Sequence, residues 1–172
     1  MNLKKILVGI DGIKAKGEID REVTTIEKDS RKVVEGSMFF AIKGFTTDGT
    51  QYINSAIEKG AKTILVEETT DIRSLNIPED VTLIVVPDAR YAMAICACNF
   101  YDNPSKKVKL IGVTGTKGKT TTTFMIKEIL QKQGIKTGLV GTIAVYSGDK
   151  KLLDSDRTAP ESIELHQYFA QM

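Results

Sequence analysis

Short apolar runs bounded by turn-forming residues recur through the first part of the chain. Runs of β-branched and aromatic residues predict strands at 23–26, 37–42, 62–66 and 81–86. Between the second and third of these strands, apolar residues at helical spacing predict a short helix over 52–57, with Gly60 as its C-terminal cap. Strand, helix and strand in this order predict a parallel α/β unit.

A longer helix is predicted over 88–101. Asp88 is the expected N-cap. The expected inward stripe consists of Tyr91, Ala94, Ile95 and Cys98. The pattern stops at the Asp-Asn-Pro-Ser segment 102–105, which two lysines follow. We therefore predict two domains, 1–103 and 104–172.

The second domain begins with a new apolar run that predicts a strand at 109–114. A glycine-containing loop follows, then a predicted helix over 121–133 and a strand at 137–143. The helix is expected to turn Ile126, Ile129 and Leu130 inward. Strand, loop, helix and strand predict a right-handed crossover in a parallel sheet.

Thr-Ala-Pro-Glu at 158–161 predicts a capping box with Thr158 at the N-cap of a final helix that runs to Met172. One crossover cannot cover both faces of a parallel sheet. We therefore expect the chain to be the first part of a longer α/β protein.

Composition narrows the classes of function. The chain has 172 residues, of which 41% are hydrophobic, and a formal charge of +2. A net charge this small produces no strong positive potential that would attract nucleic acid or an anionic membrane. The apolar runs are shorter than the roughly 18 to 20 residues that span a bilayer. We expect a cytoplasmic protein without membrane insertion, and the oligomeric state stays open. The single histidine excludes a multi-histidine metal site.

The segment between the predicted strand at 109–114 and the helix after it has the features of a phosphate loop. Gly115 and Gly118 permit the turns that point backbone N–H groups at an anion, and a helix N-terminus adds positive potential. Lys119 can reach the β- and γ-phosphates of ATP, and the Thr120 hydroxyl can bind Mg²⁺. These two are the candidate catalytic residues. The predicted nucleotide contacts are Gly115, Thr116, Lys117, Gly118, Lys119, Thr120 and Thr121.

Two features of this loop leave alternatives open. The pattern G-x-x-x-x-G-K-[ST] requires glycine at position 113, where this chain has Val113, so the loop is either a variant of that pattern or an incidental turn. Lys117 is either a second phosphate contact or a solvated charge.

The loop at 113–123 resembles the ATP loop of the Mur ligases, which make peptidoglycan precursors. Further matches to this family, in the same order, are Asp29-Ser30-Arg31, 36–41, 44–49, Gly141-Thr142 and 158–161. The resemblance covers the chain from about Val23 onward and is greatest for the members that add the third amino acid. It implies an N-terminal mixed α/β domain that binds UDP, followed by the start of a parallel-sheet P-loop ATPase domain.

The resemblance also implies substrate-binding residues. Those expected at the uridine nucleotide are Lys28, Ser30, Phe45, Thr46 and Thr47. Thr158 and Ala159 align with a pair that contacts the muramoyl group, although Arg157 and Lys117 replace asparagines that are usual in the family. From the residues alone, Ser30 and Thr46 are equally well explained as turn residues that bond the local backbone, and Thr158 as a helix cap.

The implied reaction uses ATP and Mg²⁺ to join an amino acid to UDP-N-acetylmuramoyl-dipeptide through an acyl phosphate. The parts of the family that select the amino acid lie beyond these positions, so the chain alone is expected to be inactive. Three alternatives stay open: a sibling Mur ligase that adds the dipeptide, a small P-loop kinase, and a non-catalytic module that binds a UDP-sugar.

Overall fold

The computed structural model describes residues 1–44, 47–154 and 159–172. The chain forms two compact units, Met1–Asp102 and Asn103–Met172. The helices are α1 (Leu3–Ile6), α2 (Ile53–Glu58), α3 (Ala89–Phe100), α4 (Lys119–Lys132) and α5 (Ser162–Gln171). The strands are β1 (Lys14–Lys16), β2 (Ile26–Glu27), β3 (Ser37–Phe40), β4 (Ala61–Glu67), β5 (Thr82–Val86), β6 (Gly138–Val140), β7 (Ala144–Ser147) and β8 (Lys150–Asp154).

The first unit contains a five-stranded sheet in the order β1-β5-β4-β3-β2. Strands β2 to β5 pair in parallel, which confirms the predicted α/β class. The predicted strand at 23–26 is displaced, since β2 covers only Ile26–Glu27. Strand β1 was not predicted, because its Lys-Ala-Lys sequence is exposed along its length and joins the sheet only by antiparallel pairing with β5.

Both faces of the sheet are buried at its central strands, β3 to β5. Phe39, Ile64 and Leu83 pack on one face with α2 and Val33. The alternate residues of the same strands, among them Met38, Leu65 and Ile84, point to the other face and are also buried. Burial on both sides explains why these strands read as continuous apolar runs in the sequence.

Helix α3 forms as predicted, and the Asp88 carboxylate accepts a hydrogen bond from the backbone N–H of Tyr91 at 2.8 Å. The predicted inward stripe is wrong. Tyr91 is exposed, and the buried face consists of Ala89, Ala92, Met93, Cys96 and Ala97. Small residues let this face approach its neighbours closely, so the positions of the large side chains did not indicate which face of α3 is buried.

The second unit contains a three-stranded antiparallel sheet, β6-β7-β8. Residues 109–114 form no strand, and β6 pairs with the next segment of the chain instead, so the predicted crossover is wrong for the described residues. Local antiparallel pairing gives β6 its ladder without the long-range approach that a parallel neighbour requires. As a result, Leu110 and Ile111 are 57% and 62% exposed.

The helices of the second unit also depart from expectation in detail. Helix α4 begins at Lys119, two residues before the predicted start, and Ile129 on its predicted inward face is 63% exposed. Helix α5 begins at Ser162, so the prediction of an N-cap at position 158 is wrong. The capping box is formed by Glu161 and Glu164, the first of which is the N-cap. Thr158 itself lies outside the described residues.

Candidate functional site

The loop before α4 contains two glycines with positive φ next to a helix start. Gly115 has a φ of +148° and Gly118 a φ of +81°, both in the region that side chains rarely adopt. Gly118 is the N-cap of α4 and makes no side-chain capping hydrogen bond. The first N–H groups of a helix have no partner within it, so this end offers donors and positive potential to an anion.

Lys119 and Thr120 occupy the first turn of α4. The Lys119 ammonium donates to the Gly115 carbonyl at 2.5 Å, which folds its side chain back over the loop. Thr120 is half-buried, and its carbonyl accepts a hydrogen bond from the Thr123 hydroxyl at 2.9 Å. Both side chains therefore lie at the helix end that carries the donors.

The remaining predicted contacts of the loop are open to solvent. Thr116, Lys117 and Thr121 are exposed, and a Cβ added at Gly118 would meet open space. The glycine at this position is therefore required by its backbone conformation rather than by close packing. The structure brings all seven predicted nucleotide contacts together around one helix end.

The predicted uridine contacts follow two neighbouring strands of the first unit. Lys28 and Ser30 come directly after β2, and Thr47 lies in the connection that follows β3. Because β2 and β3 are parallel neighbours, their carboxyl ends meet at the same edge of the sheet. Ligands of α/β sheets bind at that edge. Phe45 and Thr46 lie outside the described residues.

Asp29 organises the turn between β2 and β3. Its carboxylate caps the 3₁₀ turn Ser30–Lys32 by accepting from the Arg31 backbone N–H at 3.0 Å. The Arg31 guanidinium also donates to both Asp29 oxygens, at 2.9 and 2.7 Å. This pairing lowers the pKa of Asp29 to about 2. The side chain that bonds the local backbone here is thus Asp29, while Ser30 is buried.

Sequence reasoning missed two residues that shape this edge. The Lys59 ammonium donates to the Ser30 carbonyl at 3.1 Å, and nothing in the local sequence indicates that contact. Asp48 caps the 3₁₀ turn Gly49–Tyr52 by accepting from the Thr50 backbone N–H. An aspartate before a helical segment is a recognisable capping signal, so this residue could have been found.

The other predicted sites are less defined. Ala159 is exposed and lies three residues before α5, while its predicted partner Thr158 is outside the described residues. Within the described ranges, no group of three or more His, Cys, Asp or Glu side chains could hold a metal ion. The same residues include no helix long and apolar enough to cross a bilayer.

Comparisons with known proteins agree with this division of the chain. Residues 22–101 match the family model described as Mur ligase family, catalytic domain, and residues 113–172 match the Mur ligase middle domain. The chain belongs to the Mur ligase family. Each of the two matches falls within one of the two compact units.

Curated Mur ligases from clostridia are similar over the whole chain. The UDP-N-acetylmuramoyl-L-alanyl-D-glutamate–2,6-diaminopimelate ligases of Clostridium perfringens and Clostridium botulinum are 48% and 50% identical to it over 172 residues. The chain spans only 34% and 35% of their lengths.

Solved Mur ligase structures share the fold. A UDP-N-acetylmuramoyl-L-alanyl-D-glutamate–2,6-diaminopimelate ligase matches 99% of this chain and 33% of its own, with a TM-score of 0.70 and 23% identity. MurF from Acinetobacter baumannii matches 90% of this chain and 29% of its own, with a TM-score of 0.56 and 20% identity. At these identities the likeness shows the fold alone.

Proposed function

We propose that the loop from Gly115 to Thr121 binds the phosphates of ATP in a ligase that joins 2,6-diaminopimelate to UDP-N-acetylmuramoyl-L-alanyl-D-glutamate. The observation that carries this proposal is the pair of positive-φ glycines placed directly before the start of α4. The names of the relatives supply the substrates. Because the chain spans about a third of their length, the activity belongs to a longer protein, which we call the full-length ligase.

Lys119 is the proposed phosphate ligand whose removal is expected to reduce the rate of ATP turnover most. In the structure its ammonium bonds the Gly115 carbonyl, a neutral acceptor. A phosphate oxygen is a charged acceptor and makes a stronger hydrogen bond, so nucleotide binding draws the ammonium from that carbonyl to the β- and γ-phosphates. Lys117, exposed in the same loop, is the proposed second phosphate contact.

Thr120 is the proposed protein ligand of Mg²⁺. A hydroxyl oxygen is a ligand that Mg²⁺ accepts, and Mg²⁺ sites of this kind combine few protein ligands with phosphate oxygens. The Thr120 hydroxyl, in the first turn of α4, fits such a site. When bound with the nucleotide, Mg²⁺ neutralises charge on the transferring phosphoryl group.

The proposed reaction has two steps. The D-glutamate side of the UDP-linked substrate supplies a carboxylate oxygen that attacks the γ-phosphorus of ATP, which forms an acyl phosphate and releases ADP. The amine of 2,6-diaminopimelate then attacks the acyl carbon, forms the amide bond and releases phosphate with loss of a proton. No side chain acts as a nucleophile, so the loop contributes by positioning and by stabilising charge. ATP as co-substrate places the reaction in the cytoplasm.

The UDP moiety is proposed to bind at the carboxyl edge of the first sheet. Lys28, Ser30 and Thr47 lie at that edge, on connections that follow β2 and β3. Asp29 and Lys59 hold the Ser30 turn in place from two directions. Phe45 and Thr46, and the muramoyl contacts Thr158 and Ala159, stay predictions of the family resemblance.

The test is phosphate release by the full-length ligase in the presence of ATP, UDP-N-acetylmuramoyl-L-alanyl-D-glutamate and 2,6-diaminopimelate. We expect release to require all three, and Lys119→Ala to reduce it at least 100-fold, the scale of removing a preorganised donor to the reacting group. Lys109→Ala, which removes a lysine that precedes the loop, is the matched control and should retain activity. Turnover by Lys119→Ala at the rate of the unmodified enzyme would overturn the assignment.

A further inference from the structure

Lys127 is the one charged residue that is buried in the described part of the chain, with 6% of its surface exposed. It lies on α4, and its ammonium donates to the Gln131 side-chain oxygen. The same ammonium lies 5.4 Å from the centre of the Tyr146 ring on β7, at cation–π distance. Burial of a lysine is costly unless its charge is satisfied, and these two contacts satisfy it.

The charge is balanced by carboxylates at the surface. Asp149, in the turn between β7 and β8, lies 4.0 Å from the Lys127 ammonium and accepts from the Gln131 side-chain nitrogen at 3.0 Å. Glu128 lies 3.9 Å from the same ammonium. Gln131 therefore connects the buried cation to the β7–β8 turn by two hydrogen bonds.

These contacts fix one face of α4 against the hairpin formed by β7 and β8. Phe124 packs edge-on against Tyr146, with ring centres 5.8 Å apart. Phe124, Lys127 and Gln131 are spaced three and four residues apart, so they share a face of the helix. By contrast, Met125 and Ile129 on α4 are exposed. Among the described residues, α4 also contacts β6, and the ring and charge contacts of this face are made to β7 and the β7–β8 turn.

Orientation matters because α4 starts at the phosphate loop. Lys127 lies eight residues after Lys119, about 12 Å along a helix that rises 1.5 Å per residue. A tilt of about 5° at Lys127 therefore moves the loop by about 1 Å, a displacement that can cost a positioned reaction about 100-fold in rate.

We propose that Lys127 is a positioning residue for the phosphate loop. It holds α4 against β7 and the β7–β8 turn so that the N–H groups and Lys119 at the helix start face the nucleotide in a fixed direction. An apolar residue would fill the same space without the bonds to Gln131 and the Tyr146 ring. This inference rests on the proposed function of the loop.

The test compares Lys127→Met with Lys127→Arg in the full-length ligase. Methionine keeps the apolar stem and removes the cation, whereas arginine keeps a cation over the Tyr146 ring and a donor to Gln131. We expect Lys127→Met to lower kcat/KM for ATP about tenfold and to leave the KM for the UDP substrate within twofold. Lys127→Arg should restore kcat/KM to within about threefold of the unmodified enzyme.

A second readout does not depend on catalysis. We expect amide hydrogen exchange of residues 115–121 in the nucleotide-free protein to accelerate in Lys127→Met and not in Lys127→Arg. Unchanged exchange and unchanged kcat/KM for ATP in folded Lys127→Met would overturn the inference. If the unmodified enzyme does not turn over ATP, the proposed function is overturned instead. The exchange measurement would still decide whether Lys127 orders residues 115–121.

If Lys127→Met does not fold, Gln131→Leu serves in its place. This change removes the bonds from Gln131 to Lys127 and Asp149 while keeping a side chain of similar size. We expect accelerated exchange over 115–121 and a loss of about threefold in kcat/KM for ATP. Values equal to those of the unmodified enzyme would overturn the inference.

Discussion

The two units of the chain differ in how far their apolar side chains are buried. In the first unit, a parallel sheet is covered on both faces, and Phe39, Ile64 and Ile84 are fully buried. In the second, the described strands form a small antiparallel sheet, and Leu110, Ile111, Met125, Ile129, Ile135 and Ile143 are exposed. The relatives are nearly three times as long as this chain. The comparison teaches that most of the buried core lies in the first unit, whereas the buried hydrophobic residues among the described part of the second unit are only Leu139, Ala144, Val145 and Ile163.

The two candidate sites differ in which parts of the chain they depend on. The sheet edge at Lys28, Ser30 and Thr47 depends on the pairing of β2 with β3, which is a long-range feature. The proposed phosphate loop depends on two glycines and the start of one helix, which are local features. Its backbone geometry is therefore present although residues 109–114 form no strand.

The largest expected effect tests the core of the first unit. Ile64→Ala removes a side chain with no exposed surface and leaves a cavity, so we expect a loss of about 2–5 kcal/mol in the free energy of unfolding. Native-state hydrogen exchange of the β4 amides measures it. A loss below about 0.5 kcal/mol would show that the core of the first unit is not formed as described.

A smaller effect is expected at the turn that carries the proposed uridine contacts. Asp29→Ala removes a cap and an ion pair, and we expect it to cost about 1 kcal/mol at neutral pH. Asp29→Asn is the matched control, since asparagine keeps the capping acceptor and loses only the charge. Denaturant unfolding of the two variants separates the cap from the ion pair.

The pH dependence of the charge contribution has a definite sign. The pKa of Asp29 in the folded protein is about 2, below the value of about 3.9 in an unfolded chain. The ionised carboxylate therefore stabilises fully above about pH 4, and that contribution is lost as the pH falls through about 2. We expect the stability difference between the unmodified protein and Asp29→Asn to shrink steadily between about pH 4 and pH 2. A difference that stays undiminished at about pH 2 would contradict the ion pair.

The smallest expected effect is in the second unit. Ile129→Ala changes the same residue type as Ile64→Ala, but at a position that is 63% exposed. We expect the free energy of unfolding of this chain to change by no more than about 0.5 kcal/mol. A loss of 2 kcal/mol or more would show that this face of α4 is covered, and the contrast between the two units would fail.

The sequence was most informative where the physical signal is local or continuous. Strands β3, β4 and β5 were predicted because burial on both faces produces apolar runs. Asp88 was predicted because a cap needs only its own helix. Gly115 and Gly118 were predicted because they too form part of a local turn before a helix. Conversely, β1 has no apolar pattern and depends on its pairing with β5.

Other features could not be predicted because they depend on which surfaces meet. A lysine in the middle of α4 is expected to face solvent, yet Lys127 is buried against Tyr146, while Ile129 is exposed. The buried face of α3 follows its alanines rather than Tyr91. In both helices the periodicity indicated a helix correctly, but neighbouring elements decided which face is buried.

The most direct test of the account is calorimetric binding of ATP to the full-length ligase and to its Lys119→Ala variant, with UDP-N-acetylmuramoyl-L-alanyl-D-glutamate as the control ligand. If the loop at Gly115 to Thr121 holds the phosphates, the unmodified protein binds both ligands. The variant then binds the UDP ligand with unchanged affinity and ATP at least tenfold more weakly. Equal ATP affinity in the two proteins would contradict the assignment of the loop.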